Sequence, residues 1–228
     1  MTRPRPATTL FPPECIAFLR MLAKNNTREW FTAHKKTFEV HVKKPAALLG
    51  EVIALGLEAR LKAPMTCKVF RIHRDVRFSK DKTPFNCHVR MAFWPGGAGK
   101  ARAVPAPAFY LSIEPEELIC GAGAVAFPPD MLGAFRRHIE DAEAAADLTA
   151  LMHKLTSTGH RIDEPELKRT PSGFANASDE TADLLRRKSL SAWKHIPHSA
   201  QPTGIATDTC LAAFETLMPL YSWMATRL

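Results

Sequence analysis

Apolar and polar positions alternate along residues 69–93, in two runs that cover residues 69–78 and 85–93. A period of two places alternate residues on opposite faces of a strand. The six residues between the runs, 79–84, have turn chemistry, so the pattern predicts a β-hairpin with one apolar and one charged face. The apolar parity holds Phe70, Ile72, Val76, Phe78, Phe85, Cys87, Val89, Met91 and Phe93, with Arg74 as the charged exception.

The register that keeps apolar residues opposite one another pairs Phe78 with Phe85. A slip of one residue would place apolar side chains opposite charged ones. In the predicted register Asp75 faces His88, with Cβ atoms about 5 Å apart. The same register places Arg77 opposite Asn86 and His73 opposite Arg90.

Helical periodicity dominates the N-terminal part of the chain. Pro12-Pro13 opens a predicted helix that ends near Asn25. Asn26 has the position of an N-cap for a second helix, with Glu29 completing a capping box. A third apolar stripe begins after Pro45 and continues to about residue 61.

The second half of the chain mixes strands and helices. Residues 108–114 and 118–127 alternate as strands, and Gly121 and Gly123 within the latter mark a bulge or the close approach of another group. Helices are predicted over 129–139, 144–155, 179–193 and 208–223. The fold class is therefore α+β, with an antiparallel β-meander of about four strands, roughly residues 69–127, packed against N- and C-terminal helices.

Domain organisation follows from length and from the distribution of proline and glycine. A chain of 228 residues is long enough for one sizeable core. We predict a flexible tail over residues 1–11 and a single domain over residues 12–228. The glycine-rich stretch from Trp94 to Pro107 is interpreted as a flexible hairpin end or a lid.

Composition narrows the class of protein. The formal net charge is +8 and the sequence pI is about 9.4, a balance that favours acidic partners. Five cysteines without a C-x-x-C motif indicate reduced, mostly buried thiols. We find no secretory signal and no apolar run long enough to span a membrane, and therefore expect a cytoplasmic protein without a cofactor or membrane partner.

The charged face of the hairpin is the candidate site, because guanidinium groups around a carboxylate suit a phosphate- or carboxylate-bearing ligand. Arg74 lies on the apolar parity and needs a partner, for which Asp81 and Glu29 are candidates. The alternative is a solvated face whose charges pair with one another. The candidate ligand-binding residues are Arg71, Arg74, Arg77, Lys80, Asp81, Lys82, Tyr110, Lys168 and Arg169.

Other functions remain open at this stage. Asp75 and His88 would form the acid–base pair of an enzyme acting on a phosphoester. His73, Asp75 and His88 have ligand types for a metal, but the surrounding arginines oppose a divalent cation. A surface that binds single-stranded nucleic acid combines aromatic with basic residues, but Tyr110 is the only aromatic residue on the predicted polar face. A protein-interaction module and the oligomeric state are left open by the sequence.

Several blocks together resemble the family of mostly bacterial proteins catalogued as domain of unknown function 2461. The most specific block is residues 70–85, Phe-Arg-Ile-His-Arg-Asp-Val-Arg-Phe-Ser-Lys-Asp-Lys-Thr-Pro-Phe. Residues 25–31, 34–35, 110–114, 121–123 and 167–174 also fit. His73 stands where the resemblance leads us to expect an aromatic residue. The resemblance implies a single α+β domain and implies no activity.

Overall fold

The computed structural model describes residues 9–96, 104, 106–174 and 178–228. Its helices are α1 (Pro13–Lys24), α2 (Arg28–Ala33), α3 (Lys35–Phe38), α4 (Lys44–Leu61), α5 (Pro129–Ile139), α6 (Ala142–Ser157), α7 (Asp179–Leu185) and α8 (Thr207–Arg227). Its strands are β1 (Thr9–Phe11), β2 (Met65–Val69), β3 (Val89–Pro95), β4 (Ala108–Ile113), β5 (Glu117–Ala124), β6 (Arg161–Ile162), β7 (Leu190–Pro197) and β8 (Ile205–Ala206). Within this described part of the chain, every helix is too short or too polar to cross a bilayer.

The main sheet confirms the predicted α+β class but has six strands rather than four. Its order is β2-β3-β4-β5-β7-β6, and β1 and β8 form a separate two-stranded sheet. The pairs β2–β3, β6–β7 and β1–β8 are antiparallel. Strand β7 lies where we predicted the end of a helix. Leu190, Ser191 and Ala192 are all buried, and a strand buried on both faces does not show the alternation that identifies half-buried strands.

Contacts between residues divide the chain into two compact units. One comprises Met1–Lys100, Tyr110–Cys120 and His195–Ala213, and the other comprises Ala101–Phe109, Gly121–Lys194 and Phe214–Leu228. We call them the first and the second unit and describe each by itself. A single domain over residues 12–228 stays a prediction.

In the first unit, α1 and α4 supply most of the apolar cover. The buried face of α1 includes Phe18, Leu19 and Leu22, as its periodicity predicts. Helix α4 packs closely on β2, since a Cβ atom on Gly50 would lie 2.7 Å from the Sγ atom of Cys67. A π-helical turn, Glu39–Lys43, leads into α4. Strand β1, which we predicted as the end of a flexible tail, buries Phe11 completely.

The core of the second unit is aromatic. Phe109 stacks on Tyr221 with ring centroids 4.4 Å apart, and Phe127 stacks on Phe135 at 4.8 Å. The predicted close approach at Gly121 is also present. A Cβ atom on Gly121 would lie 2.2 Å from the ring of Trp193, so only glycine fits under this side chain.

The connection between β2 and β3, residues 70–88, differs most from the prediction. Strand β2 ends at Val69, which pairs with Met91. Beyond this pair a single bridge, His73 with Phe85, continues the ladder. The predicted register of Phe78 opposite Phe85 is therefore wrong, and the side chain of Phe78 is 95% exposed. The predicted lid falls largely on residues 97–103 and 105, which lie outside the described residues.

We expect Gly123→Ala to destabilise the protein by about 2–4 kcal/mol, because φ at Gly123 is +129° and a Cβ atom would lie 2.2 Å from the carbonyl oxygen of Leu190. Gly133→Ala is the control. It adds the same atom inside α5, at 3.4 Å from the flexible end of Arg137, and should stabilise by up to about 1 kcal/mol. Denaturant unfolding compares the two, and equal stabilities would contradict the prediction.

Candidate functional site

The side chain of Asn26, between α1 and α2, clamps the β2–β3 connection at Phe85. Its Nδ2 atom donates to the carbonyl oxygen of Phe85 at 2.8 Å, and its Oδ1 atom accepts from the Phe85 amide at 3.1 Å. The prediction of Asn26 as a helix cap is wrong. Thr27 caps α2 instead, with its hydroxyl accepting from the amide of Trp30 at 3.2 Å. The displaced asparagine thereby satisfies both backbone polar groups of Phe85, as a neighbouring strand would.

Aromatic packing also holds Phe85 in place. The ring of Phe85 stacks on Phe31 of α2 with centroids 4.0 Å apart and 20° between the planes. His73 contacts Phe85 and Phe31 edge-on, at 5.1 and 5.9 Å. His73 thus packs as an aromatic residue, which accounts for its standing where the resemblance led us to expect one.

Hydrogen bonds from the side chain of Arg74 hold the β2–β3 connection in shape. Its guanidinium donates to the carboxylate of Asp81 at 2.5 Å and to the carbonyl and hydroxyl oxygens of Thr83. Its other terminal nitrogen lies 3.4 Å from the hydroxyl of Ser79. The partner expected for Arg74 is therefore Asp81. Hydrogen bonds from Thr83 and Arg74 lower the pKa of Asp81 to about 2, so this carboxylate stays ionised and neutralises the arginine.

A cleft of about 440 Å³ lies between α2–α3 and the β2–β3 connection. Arg28, Phe31 and Thr32 of α2 and Lys35, the first residue of α3, form its helical wall. The wall formed by the connection consists of His73, Arg74, Val76, Pro84 and Phe85. We call this space the basic cleft, because its described lining residues include three permanent cations and no carboxylate.

Two of these cations are available to a ligand. Among the described residues, the side chains of Arg28 and Lys35 have neither a hydrogen bond nor an ion pair, and both are exposed. Arg74, by contrast, is satisfied by Asp81 and Thr83. Neither Arg28 nor Lys35 was among the candidate residues predicted from the sequence. Their spacing gave no clear signal, because an exposed basic stripe does not show whether it faces solvent or a cleft, and the helix is interrupted at His34 between them.

The predicted charged face is dispersed, and of its nine candidates Arg74 alone lines the basic cleft. Arg77 forms a bidentate pair with Asp75 at 2.9 and 2.7 Å, and these hydrogen bonds lower the pKa of Asp75. Lys82 donates to the carbonyl oxygen of Val76 at 3.0 Å. The others lie elsewhere, with Arg71 and Lys80 exposed on the connection, Tyr110 half-buried on β4, and Lys168 and Arg169 exposed in the second unit.

The three candidate metal ligands have three different surroundings. His73 is in the aromatic cluster and Asp75 is paired with Arg77. The Nδ1 atom of His88 lies 3.4 Å from a carboxylate oxygen of Glu114. No group of three or more histidine, cysteine, aspartate or glutamate side chains is arranged to hold a metal within the described ranges. The expected facing of Asp75 and His88 is also wrong, since each has another partner.

Glu114 is the centre of a second polar cluster in the first unit. One of its oxygens accepts from the hydroxyl of Ser112 at 2.6 Å, and Arg90 approaches to 3.8 Å. Burial raises the pKa of Glu114, but the hydrogen bonds from His88 and Ser112 and the charge of Arg90 outweigh this effect, so the pKa is lowered overall. Glu114 therefore remains an ionised acceptor, which does not suit a general acid.

Comparison with known families identifies the chain as a relative of uncharacterised proteins. Residues 14–223 match the family described as conserved hypothetical protein (DUF2461). The chain belongs to this family. No curated protein matches the chain. The range shared with the DUF2461 family includes both walls of the basic cleft, and the family description names no activity, so a function must be argued from the cleft itself.

We expect Asn26→Ala to destabilise the protein by about 1–3 kcal/mol, because two backbone groups of Phe85 lose their partner. Asn25→Ala is the matched control. The Asn25 side chain donates to the carbonyl of Met21 within its own exposed helix end, and its loss should cost less than about 0.5 kcal/mol. Denaturant unfolding measures the difference, and hydrogen exchange at the Phe85 amide should accelerate in Asn26→Ala alone. Equal effects of the two variants would contradict a clamp.

The stability of the protein should depend less steeply on pH in Glu114→Gln than in the wild type. The pKa of Glu114 is lower in the folded protein than in the unfolded chain, where a glutamate has a pKa of about 4.3. Glu114 therefore stabilises the fold at pH values above about 4.3, and this stability is lost as the pH falls through the pKa of the folded state. Urea unfolding between pH 6 and pH 3 measures this slope. Glu164→Gln, at an exposed position without a side-chain hydrogen bond or ion pair among the described residues, controls for the change in net charge. A slope in Glu114→Gln equal to that of the wild type would refute the role of Glu114.

Proposed function

We propose that the protein binds a phosphate- or carboxylate-bearing ligand in the basic cleft. The observation that carries this proposal is the pair of unpartnered cations, Arg28 and Lys35, on one wall of a concave space. A volume of about 440 Å³ falls within the range of small-molecule sites. The site is therefore displaced from the predicted charged face of the hairpin to the helix opposite it.

The two free cations have complementary chemistry. A guanidinium such as that of Arg28 offers a planar fork of donors that matches two oxygens of a carboxylate or phosphate. The ammonium group of Lys35, at the start of α3, supplies a compact second charge on the same wall. The hydroxyl of Thr32, on the same wall, supplies a neutral donor. These groups together favour an anion with several oxygens.

The β2–β3 connection forms the opposite wall of this site. Arg74 and Asp81 neutralise each other, so this wall contributes shape more than charge. The remaining positive potential comes from Arg28 and Lys35 and from the net charge of +8, which attracts anions before they bind. Catalysis is not part of the proposal, because Asp75 and His88 do not form the acid–base pair that the phosphoester hypothesis required.

Calorimetric titration with inorganic phosphate, pyrophosphate and citrate tests the proposal. We expect at least one of them to bind the wild type, and Arg28→Ala or Lys35→Ala to weaken that binding by about tenfold or more, since a hydrogen bond to a charged group contributes roughly 1.5–3 kcal/mol. Lys36→Ala is the matched control. It removes the same charge from the next residue of α3, which does not line the cleft.

Two results would reject the anion site. One is that none of the three anions binds to the wild type. The other is equal weakening by Lys35→Ala and Lys36→Ala, which would indicate a general effect of net charge. Thermal unfolding gives a second measure, because a ligand at about a hundred times its dissociation constant stabilises the native state by about 2.7 kcal/mol.

A further inference from the structure

Phe78 is the most exposed large apolar side chain that the structure describes, at 95%. An apolar ring of this size is usually covered, and the apolar parity of residue 78 had predicted that it would be. The backbone of residues 70–88 instead turns around Arg74 and leaves the ring in solvent. A single exposed apolar side chain is common on protein surfaces, so the exposure of Phe78 gains meaning only from the groups around the ring.

The surroundings of Phe78 are cationic. The guanidinium of Arg77 lies 5.8 Å from the centroid of the ring, within the range of a cation–π contact. Lys80 and Lys82 follow within four residues and are exposed. The bidentate pair between Arg77 and Asp75 fixes the guanidinium beside the ring. Asp75 and Asp81 pair with Arg77 and Arg74, so the net positive charge close to the ring comes from Lys80 and Lys82.

Phe78 is also adjacent to the basic cleft. Val76, two residues before it, lines the cleft, and Ser79, the next residue, contacts the guanidinium of Arg74, another lining residue. Phe78 itself does not line the cleft. A ligand that contacts both the two free cations and this ring must therefore extend beyond the residues that line the cleft.

We propose that the ligand of the basic cleft is an unpaired nucleotide, whose phosphate binds Arg28 and Lys35 and whose base stacks on Phe78. Since this ligand occupies the same cleft, the inference rests on the proposed function. Aromatic stacking with a phosphate-binding groove is the usual combination in proteins that bind unpaired bases. The same chemistry is present in a free nucleotide and in a single strand. A preference for the base with AMP but not with oligo-dT indicates a free nucleotide, and a preference with oligo-dT indicates that the site accepts a strand.

The shape of the site favours an unpaired nucleotide over two other anionic surfaces. The unpartnered cations line a concave cleft, which a flat layer of lipid headgroups does not enter. A base in a duplex is stacked on its neighbours and presents no free face to Phe78 without unstacking, which costs a few kcal/mol. A nucleotide or single strand meets both requirements.

The inference is tested with pairs of probes that differ only in whether they carry a base. Calorimetry compares AMP with ribose 5-phosphate. Fluorescence anisotropy compares oligo-dT with an abasic oligonucleotide of the same length and with the corresponding duplex. We expect the wild type to bind the base-containing member of each pair roughly tenfold more tightly, because stacking contributes about that factor per base.

The variants assign this preference to one ring. Phe78→Ala should abolish the preference for the base and leave binding of ribose 5-phosphate unchanged, whereas Phe78→Trp should retain the preference. Phe70→Ala is the matched control, since Phe70 is a half-exposed ring with the ammonium of Lys68 at 5.3 Å and does not line the cleft. Lys35→Ala should weaken all probes. Because Phe78 is almost fully exposed, its loss leaves the core intact.

Each other outcome has a distinct meaning. Equal affinity for AMP and ribose 5-phosphate, or a preference for the base that survives Phe78→Ala, overturns the nucleotide but leaves the anion site if Lys35→Ala still weakens binding. Failure of every phosphate probe, inorganic pyrophosphate included, overturns both proposals. Tight binding of the duplex overturns the requirement for an unpaired base. Recruitment to phosphatidylserine vesicles that is lost in Phe78→Ala, without nucleotide binding, assigns the ring to a membrane instead.

Discussion

Two hydrogen bonds between the side chain of Asn26 and the backbone of Phe85 are the constraint on which the candidate site depends. They join positions 59 residues apart in the chain. On one side of this point is the helical wall with Arg28 and Lys35, and on the other is the connection that Arg74 holds in shape. The stack of Phe31 on Phe85 reinforces the contact. Without this junction each wall would keep its own local structure, but the space between the walls would have no fixed width.

The elements that the sequence predicted correctly are those with one periodicity and one buried face. Helix α1 begins at Pro13 and ends at Lys24, close to the predicted bounds, because its apolar stripe has an uninterrupted helical period. Strand β7 was missed because it is buried on both faces. The register of the hairpin was wrong for another reason. The alternation of apolar and polar residues contains no information on the hydrogen bonds of Arg74 with Asp81 and Thr83. These hydrogen bonds bend the backbone away from the β2–β3 pairing.

The candidate site was predictable in part. The position of Arg74 on an apolar parity indicated that it needs a partner, and Asp81 is that partner. The roles of Arg28 and Lys35 were not visible, because an exposed basic stripe has the same sequence whether it faces bulk solvent or a cleft. The exposure of Phe78 was equally hidden, since alternation alone assigns a phenylalanine to the buried face. These features depend on contacts between distant segments, which a local pattern does not contain.

The charges beside Phe78 also govern how two copies of the protein meet. An exposed aromatic ring is a surface through which two copies could touch. Two molecules that approached ring to ring would also bring together Lys80 and Lys82 from both copies, and like charges at short range repel, whereas Arg77 is paired with Asp75. Dissolved salt weakens this repulsion over distances beyond about 10 Å. The like charges of Lys80 and Lys82 therefore oppose self-association of the protein through Phe78.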